Sequence, residues 1–421
     1  MNHFDYHDGE LCAESVPLRA IAENVGTPFY CYSTATLRRH VAVLREALAD
    51  LPPSTICFAV KANGTLGVLA TLAREGLGAD VVSGGELRRA LAAGIAAERI
   101  VYSGVGKTDA ELAEALDAGI LQINVESEPE LHALDRIARE KGVKAPVALR
   151  VNPDVAAETH DKIATGRKED KFGIEWTTAH RVYQQARDMP GIDVQGAAVH
   201  IGSQLMDLTP FRAAFSRVRD LVAMLAADGV PLKRLDLGGG LGVPYADDAS
   251  PDPRDYAAVV RETLGDLGLE LVFEPGRLIA ANAGVLVSRV VRVKEGATRT
   301  FVVLDAGMND LMRPALYDAE HEIRMVTAPD PTAEGQACDV VGPICEPGDT
   351  FSRQRWLPPV FENDLVAFMT AGAYGASMAN TYNARPLPAE VLVEDDDFAV
   401  IRPRLDLEPV ITGETLPPWM G

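Results

Sequence analysis

The stretch Ile56–Leu69, "ICFAVKANGTLGVL", decides how this chain is read. Ile56, Cys57, Phe58, Ala59 and Val60 form the apolar run of a buried strand, Ala62-Asn63-Gly64 a turn, and Leu66 onward the start of a helical pattern. A lysine, Lys61, stands where the strand ends. In the plain reading the lysine snorkels, with its stem packed and its ammonium in water. In the sharper one a partly buried amine has lost pKa and serves as a nucleophile toward carbonyls.

Outward from Ile56 the same unit repeats. Candidate strands run over Thr55–Val60, Ala79–Val82, Ile100–Tyr102, Leu121–Val125, Val147–Val151, Val194–His200, Arg234–Leu237 and Glu270–Phe273. Amphipathic stretches separate them. "EPELHALDRIAREKG" opens on acidic residues and closes on Lys141-Gly142, as the helix dipole and a glycine stop require. Before the first strand, "ATLRRHVAVLREALAD" sets Leu37, Val41, Leu44 and Leu48 at helical spacing. Alternating strands and helices imply right-handed βαβ units and a parallel sheet, and eight of them are the count of a (β/α)8 TIM-type barrel. An open doubly wound sheet is the structural alternative, which a count of eight strands disfavours.

Beyond about Ala280 the texture changes. "GVLVSRVVRVKEG", "TRTFVVLDAG", "HEIRMV" and "LVAFMT" read as strands closely punctuated by Gly and Pro. The expected organisation is a barrel over 28–280 and a mostly antiparallel β-domain over 281–421. The segment 1–27 has no barrel role and is expected to pack with the β-domain.

The chain has 421 residues and a formal net charge of -21, which disfavours nucleic acid and anionic lipid as partners. No secretory n-region opens it, and no apolar run of about 18 residues suits a membrane span. Five scattered cysteines, Cys12, Cys31, Cys57, Cys338 and Cys345, suggest reduced thiols and a cytoplasmic location. No metal centre is expected.

In such a barrel the chemistry gathers at the C-terminal ends of the strands. There stand Lys61, Ser83-Gly84-Gly85-Glu86, "VHIGSQ" with His200 and Ser203, "DLGGGLG" from Asp236 to Gly242, and "FEPGR" from Phe273 to Arg277. Glycine clusters often only make turns. After strand seven of a barrel, a cluster of backbone N–H groups suits phosphate. His200 alone would read as a core histidine, but it ends a strand facing the same mouth. "SGVGKT", Ser103–Thr108, imitates a nucleotide-binding loop, yet Val101 stands where that motif needs its first glycine. It reads as an ordinary strand-to-helix turn. A lysine, a phosphate nest and a carboxylate at one mouth fit pyridoxal 5′-phosphate, with Glu274 at the pyridine nitrogen and His200 against the ring.

The stretches "FAVKANG", "HIGSQ", "DLGGGLG", "EPGR", "MNDLMRPALY", "GPICEPGD" and "AGAYGASMANTYNARPLPAEVL" together resemble the diaminopimelate decarboxylase family, within the alanine-racemase-like fold group. The resemblance covers nearly the whole chain. Pro347 departs from the serine expected in the family's "CESGD". The resemblance implies that Lys61 carries the cofactor and that His200 stacks on it. Ser203, Gly239, Gly240, Glu274, Gly276, Arg277 and Tyr374 complete the cofactor set. Arg277, Arg313 and Tyr317 would bind substrate carboxylates, Glu346 a substrate amine, and Tyr374 substrate as well. Cys345 would donate a proton, in a homodimer whose sites lie at the subunit interface. The implied reaction turns meso-diaminopimelate, which carries an amino acid at each end, into L-lysine and CO2.

Rival readings differ at single residues. An ornithine or arginine decarboxylase of the same fold would give Arg313 no distal carboxylate to hold. An amino-acid racemase of the same fold would place an arginine, not Glu274, at the pyridine nitrogen. A non-enzymatic pyridoxal-phosphate carrier on a lone barrel would lack the β-domain.

Overall fold

The computed structural model describes residues 2–155, 171–245 and 249–420. These divide into two compact units, one of residues 37–280 and the other of residues 1–36 with 281–421.

The unit 37–280 is a closed parallel barrel. Its strands are β1 (Ser54–Ala59), β2 (Gly78–Val81), β3 (Ile100–Tyr102), β4 (Gln122–Val125), β5 (Ala145–Asn152), β6 (Ile192–Ala198), β7 (Arg234–Asp236) and β8 (Glu270–Phe273). Each pairs in parallel with the next; β8 returns to β1 through Leu271 opposite Ser54 and Phe273 opposite Ile56. The helices between them are α1 (Leu66–Arg74), α2 (Gly84–Ala92), α3 (Asp109–Ala118), α4 (Glu128–Lys141), α5 (Trp176–Asp188), α6 (Thr209–Ala227) and α7 (Pro253–Leu264).

Local chemistry starts and stops these helices. Thr108 and Glu111 form a reciprocal capping box on α3. Ser127 caps α4, whose acidic first turn and basic last turn complement the dipole. Gly142, at φ 68°, ends α4 in the left-handed conformation that a side chain would strain. The stripe Leu37, Val41, Leu44 and Leu48 is buried, as its spacing predicts. Outside the strands, Tyr256 of α7 meets Phe211 of α6 edge-on at 5.1 Å and Phe273 of β8 at 6.2 Å.

Several strands end earlier than the sequence pattern suggests. β1 stops at Ala59, and Val60–Ala62 form a 3-10 turn that carries Lys61. β6 ends at Ala198 and β7 at Asp236, so His200 and Leu237 lie in loops. The ladder nonetheless continues one bond further, from Val199 N–H to Asp236 O and from Leu237 N–H to Val272 O, each 2.9 Å.

The other unit is built on a long strand, Gly284–Glu295. Along it, Phe29–Ser33, Leu365–Phe368 and Thr300–Leu304 all pair antiparallel. Further strands extend the sheet at both sides, and among the described residues of this unit only Thr300–Leu304 with Gln336–Val341 and Phe29–Ser33 with Ala389–Glu394 run parallel. The sequence reading began the barrel at residue 28. The division instead falls between Thr36 and Leu37, because all five residues of Phe29–Ser33 are buried in the β-sheet. Phe4, Leu11, Leu18 and Ile21 share one core cluster with Phe29, Val285, Leu365 and Val391. Among the described residues no helix is long and apolar enough to cross a membrane.

Barrel closure has a steric signature at Gly78 on β2. A Cβ there would stand 2.0 Å from the Arg99 carbonyl and 3.0 Å from Cys57 Sγ. Backbone cannot yield at that distance, so Gly78→Ala is expected to destabilise the chain by about 1–3 kcal/mol. Chemical denaturation checks this; an unchanged midpoint would show that β2 and β3 can separate at no cost.

Candidate active site at the barrel mouth

The strand ends converge on a cavity of about 380 Å³ lined by Lys61, Ser103, Asn124, Arg150, His200, Asp236 and Glu274, among others. Lys61 lies on its wall. Its ammonium donates to Asp80 Oδ2 at 2.7 Å, and Asp80 is fully buried on β2. The other oxygen, Asp80 Oδ1, is buried with no hydrogen-bond partner among the described residues.

A chain of polar side chains runs along the cavity wall. Asn124 Nδ2 donates to Asp236 Oδ2 at 2.8 Å and to Ser103 Oγ at 3.0 Å, and Ser103 Oγ donates to Glu274 Oε1 at 3.3 Å. Gly238 N–H supports Asp236 Oδ1 at 3.0 Å. Three carboxyls, Asp80, Asp236 and Glu274, thus lie buried near one ammonium. Burial raises the Glu274 carboxyl well above the usual range, and the charges of Asp236 and Asp80 add to the effect. Burial also pushes Asp236 up to about 6, against the hydrogen bonds from Asn124 and Gly238.

His200 is neutral for related reasons. Burial, then the charges of Arg150 and Lys61, hold its pKa well below the ordinary imidazole range. Gly239 N–H donates to His200 Nδ1 at 3.3 Å, which places the ring proton on Nε2.

The glycine loop after β7 is packed as a backbone cradle. A Cβ on Gly239 would stand 2.2 Å from the Glu274 carbonyl, and one on Gly240, at φ +111°, 2.3 Å from the Gly202 carbonyl. A Cβ on Gly276 would stand 3.0 Å from the Ala62 methyl and 3.1 Å from the Ala59 methyl, a tighter approach than side chains normally make. Arg277, which begins the short helix Arg277–Ala280, donates to Tyr245 Oη at 2.5 Å and to Ser203 Oγ at 3.1 Å. Backbone N–H groups of a glycine loop, an arginine and a serine are a donor set that suits a phosphate. The cavity beside them, walled by an amine, an imidazole whose pKa is held low and a carboxyl whose pKa is raised, suits a pyridine ring bearing an aldehyde. The residues present therefore fit pyridoxal 5′-phosphate.

Of the expected site residues, Lys61, His200, Ser203, Gly239, Gly240, Glu274, Gly276 and Arg277 gather in this barrel. Arg313, Tyr317, Cys345, Glu346 and Tyr374 belong to the β unit. Arg313 is buried at the start of the helix Arg313–Tyr317. Its Nη1 stands 2.8 Å from His321 Nε2, and His321 Nδ1 stands 2.8 Å from the Met369 carbonyl. Because the carbonyl can only accept, Nδ1 carries the proton and Nε2 accepts from the guanidinium. Cys345 and Glu346 are exposed on a loop pinned by Asp349, which accepts from Ile344 N–H at 2.6 Å and Met308 N–H at 2.7 Å. Tyr374 sits at φ +56°, a conformation costly for a tyrosine and typical of functional sites.

Sequence reasoning passed over Asp80, Asn124 and Arg150, quoted Ser103 only as the start of a strand-to-helix turn, and quoted Asp236 only as part of a glycine motif. The available signal was a charge inside an apolar strand, "GADVV" for Asp80 and "VALRVN" for Arg150.

Residues 34–281 match the family model described as pyridoxal-dependent decarboxylase, pyridoxal binding domain. That match defines the class: a decarboxylase dependent on pyridoxal phosphate. The chain is 48% identical over 422 residues to a diaminopimelate decarboxylase of Zymomonas mobilis, covering 99% of each. It superimposes with a TM-score of 0.90, at 41% identity, on diaminopimelate decarboxylase from Helicobacter pylori complexed with L-lysine, covering 94% of this chain and 98% of that one. The corresponding M. jannaschii enzyme in co-complex with L-lysine gives 0.93 at 35% identity, covering all of both chains. The chain belongs to the diaminopimelate decarboxylase family.

The raised carboxyls make stability depend on pH. Asp236 and Glu274 hold protons in the folded, cofactor-free chain that the unfolded chain releases. Their contribution is present below about pH 4 and is lost as pH rises through about 6 and beyond. The melting temperature of the cofactor-free chain should therefore fall more steeply with rising pH than that of Glu274→Gln. Parallel slopes in thermal melts would contradict this origin.

Proposed function

We propose that this chain decarboxylates meso-2,6-diaminopimelate at one of its two amino-acid ends, giving L-lysine and CO2, the last step of lysine biosynthesis. It acts in the cytoplasm as a homodimer. The observation that carries the reading is the convergence of Lys61, neutral His200 and the raised carboxyl of Glu274 on one cavity beside a glycine cradle.

Pyridoxal phosphate, when bound, supplies an electron sink for the carbon that loses its carboxylate. Lys61 carries it, and Asp80 keeps the Lys61 amine at the cavity wall. Gly239, Gly240, Gly276, Ser203 and Arg277 hold its phosphate, and Tyr374 closes on it. Glu274 holds a proton at the ring nitrogen. A carboxyl that already prefers its proton in this pocket is suited to share one there. His200, uncharged, packs on the ring without competing for that proton. At the substrate, Arg277, Arg313 and Tyr317 hold carboxylates and Glu346 an ammonium. Cys345 delivers a proton to the carbon that CO2 leaves. Its exposed loop leaves the thiol accessible.

Arg313 separates this reading from an ornithine or arginine decarboxylase. A guanidinium pairs well with a carboxylate, and diaminopimelate has a distal carboxylate that ornithine and arginine lack. Release of CO2 from meso-diaminopimelate, with little from ornithine or arginine, is the direct test. Arg313→Leu should raise KM for diaminopimelate by roughly tenfold to a hundredfold, the loss of one charge-assisted hydrogen bond. An unaltered KM removes Arg313 from the substrate site.

Cys345 and Glu346 serve the partner subunit's barrel, so each site draws on both chains. Lys61→Ala and Cys345→Ala homodimers should both be nearly inactive. Mixed heterodimers should recover up to about half the native activity, because one of the two sites then receives both intact residues. Purified heterodimers that recover nothing would show that each chain completes its own site.

A further inference from the structure

The turn "SGVGKT" imitates a phosphate loop, yet its lysine is spent inside the protein. Lys107 has a fully buried side chain. All three ammonium protons are used, on Glu130 Oε1 at 2.6 Å, the Gly104 carbonyl at 2.7 Å and the Asn124 carbonyl at 2.8 Å. The second oxygen of Glu130 accepts from Glu126 N–H at 3.0 Å. Glu126, at the end of β4, is itself buried, and its carboxylate accepts three N–H groups from three segments. Gly104 N–H, after β3, and Arg150 Nη1, on β5, reach Oε1 at 2.9 and 2.8 Å; Gly173 N–H reaches Oε2 at 2.9 Å. The Arg150 guanidinium lies 4.9 Å from the Phe172 ring centroid and lines the cavity beside His200. Its Nη2 is buried with no hydrogen-bond partner among the described residues.

We infer that Glu126 is a positioning residue for the reaction. It fixes the Arg150 guanidinium at the cavity wall, and the buried Lys107–Glu130 pair fixes Glu126. The inference rests on the proposed function, since Arg150 then offers its Nη2 N–H groups to an oxygen anion of bound cofactor or substrate. Three donors and no acceptor meet the Glu126 side chain, so only a carboxylate satisfies all of them. A glutamine there must turn its NH2 toward an N–H, and the guanidinium or a neighbouring loop must move. A buried arginine with no such anchor has many rotamers, whereas one held by a carboxylate and an aromatic face has one. The network also joins the loops after β3, β4 and β5, so the cavity wall and the cation on it are set together.

The test is a double-mutant cycle read in two ways: the Kd of pyridoxal 5′-phosphate for the cofactor-free chain, by spectroscopic titration, and kcat and KM for diaminopimelate. Glu126→Gln and Arg150→Leu should each weaken one of these constants by roughly tenfold or more. A change in Kd assigns the oxygen anion to the cofactor, and a change in KM at constant Kd assigns it to the substrate. In the Arg150→Leu background, Glu126→Gln should add less than about twofold, because Glu126 acts through Arg150. Lys107→Met should weaken the same constant as Glu126→Gln. Should either glutamate or lysine variant fail to fold, Glu126→Asp, which keeps the charge but shortens the reach, carries the same cycle. Additive losses in the double variant, or an Arg150→Leu chain with unaltered Kd, KM and kcat, overturn the proposal. A native chain that binds the cofactor but releases no CO2 from diaminopimelate refutes the proposed function, and the Kd arm still decides the role of Glu126.

Discussion

Keeping Asp80, Asp236 and Glu274 buried within one barrel mouth is the constraint around which the site is arranged. Three carboxylates taken out of water together would repel strongly. The chain answers in three ways. Lys61 neutralises Asp80 directly, at 2.7 Å. Asn124 and the Gly238 N–H solvate Asp236. Glu274, with weaker support from Ser103, takes a proton. The same arrangement that lowers the cost of burial therefore leaves an amine and carboxyls with raised proton affinity on a common cavity.

On the opposite wall the signs are reversed. Arg150 and Lys107 are cations taken out of water, and Glu126 and Glu130 are their anions. Here each carboxylate oxygen meets N–H donors at hydrogen-bonding distance, which offsets the cost of burying the charges. His200 stands beside Arg150 and Lys61 and is kept neutral by burial and by their charge. The mouth is thus polarised, with protonatable acids on one side and fixed cations on the other. That polarity suits a ligand with a basic ring nitrogen and anionic oxygens.

The β unit holds its candidate site residues by other means. The buried Arg313 leans on a histidine whose tautomer is dictated by the Met369 carbonyl. The loop with Cys345 and Glu346 is exposed, but Asp349 pins its base from inside. A rigid base under exposed side chains is what a residue needs if it must meet a substrate held elsewhere.

Periodicity and chain order determined the barrel, the helices around it and the change to β structure near residue 280. Each of these is a local pattern of apolar residues that has only one way to be buried. The lysine, the glycine cradle and Glu274 were legible for the same reason: they stand at strand ends, and barrel topology gathers strand ends. The Phe29–Ser33 strand escaped because its five buried residues precede the barrel in sequence yet pair with strands more than 250 residues later. Asp80 and Arg150 escaped because a lone charge in an apolar run says that something pairs with it, not what. Lys107 looked like an ordinary turn residue until Glu130, Gly104 and Asn124 were seen to close on it. Which charges meet, and which of them keeps a proton, depends on distances of a few ångströms between segments remote in sequence, and only the closed barrel sets those distances.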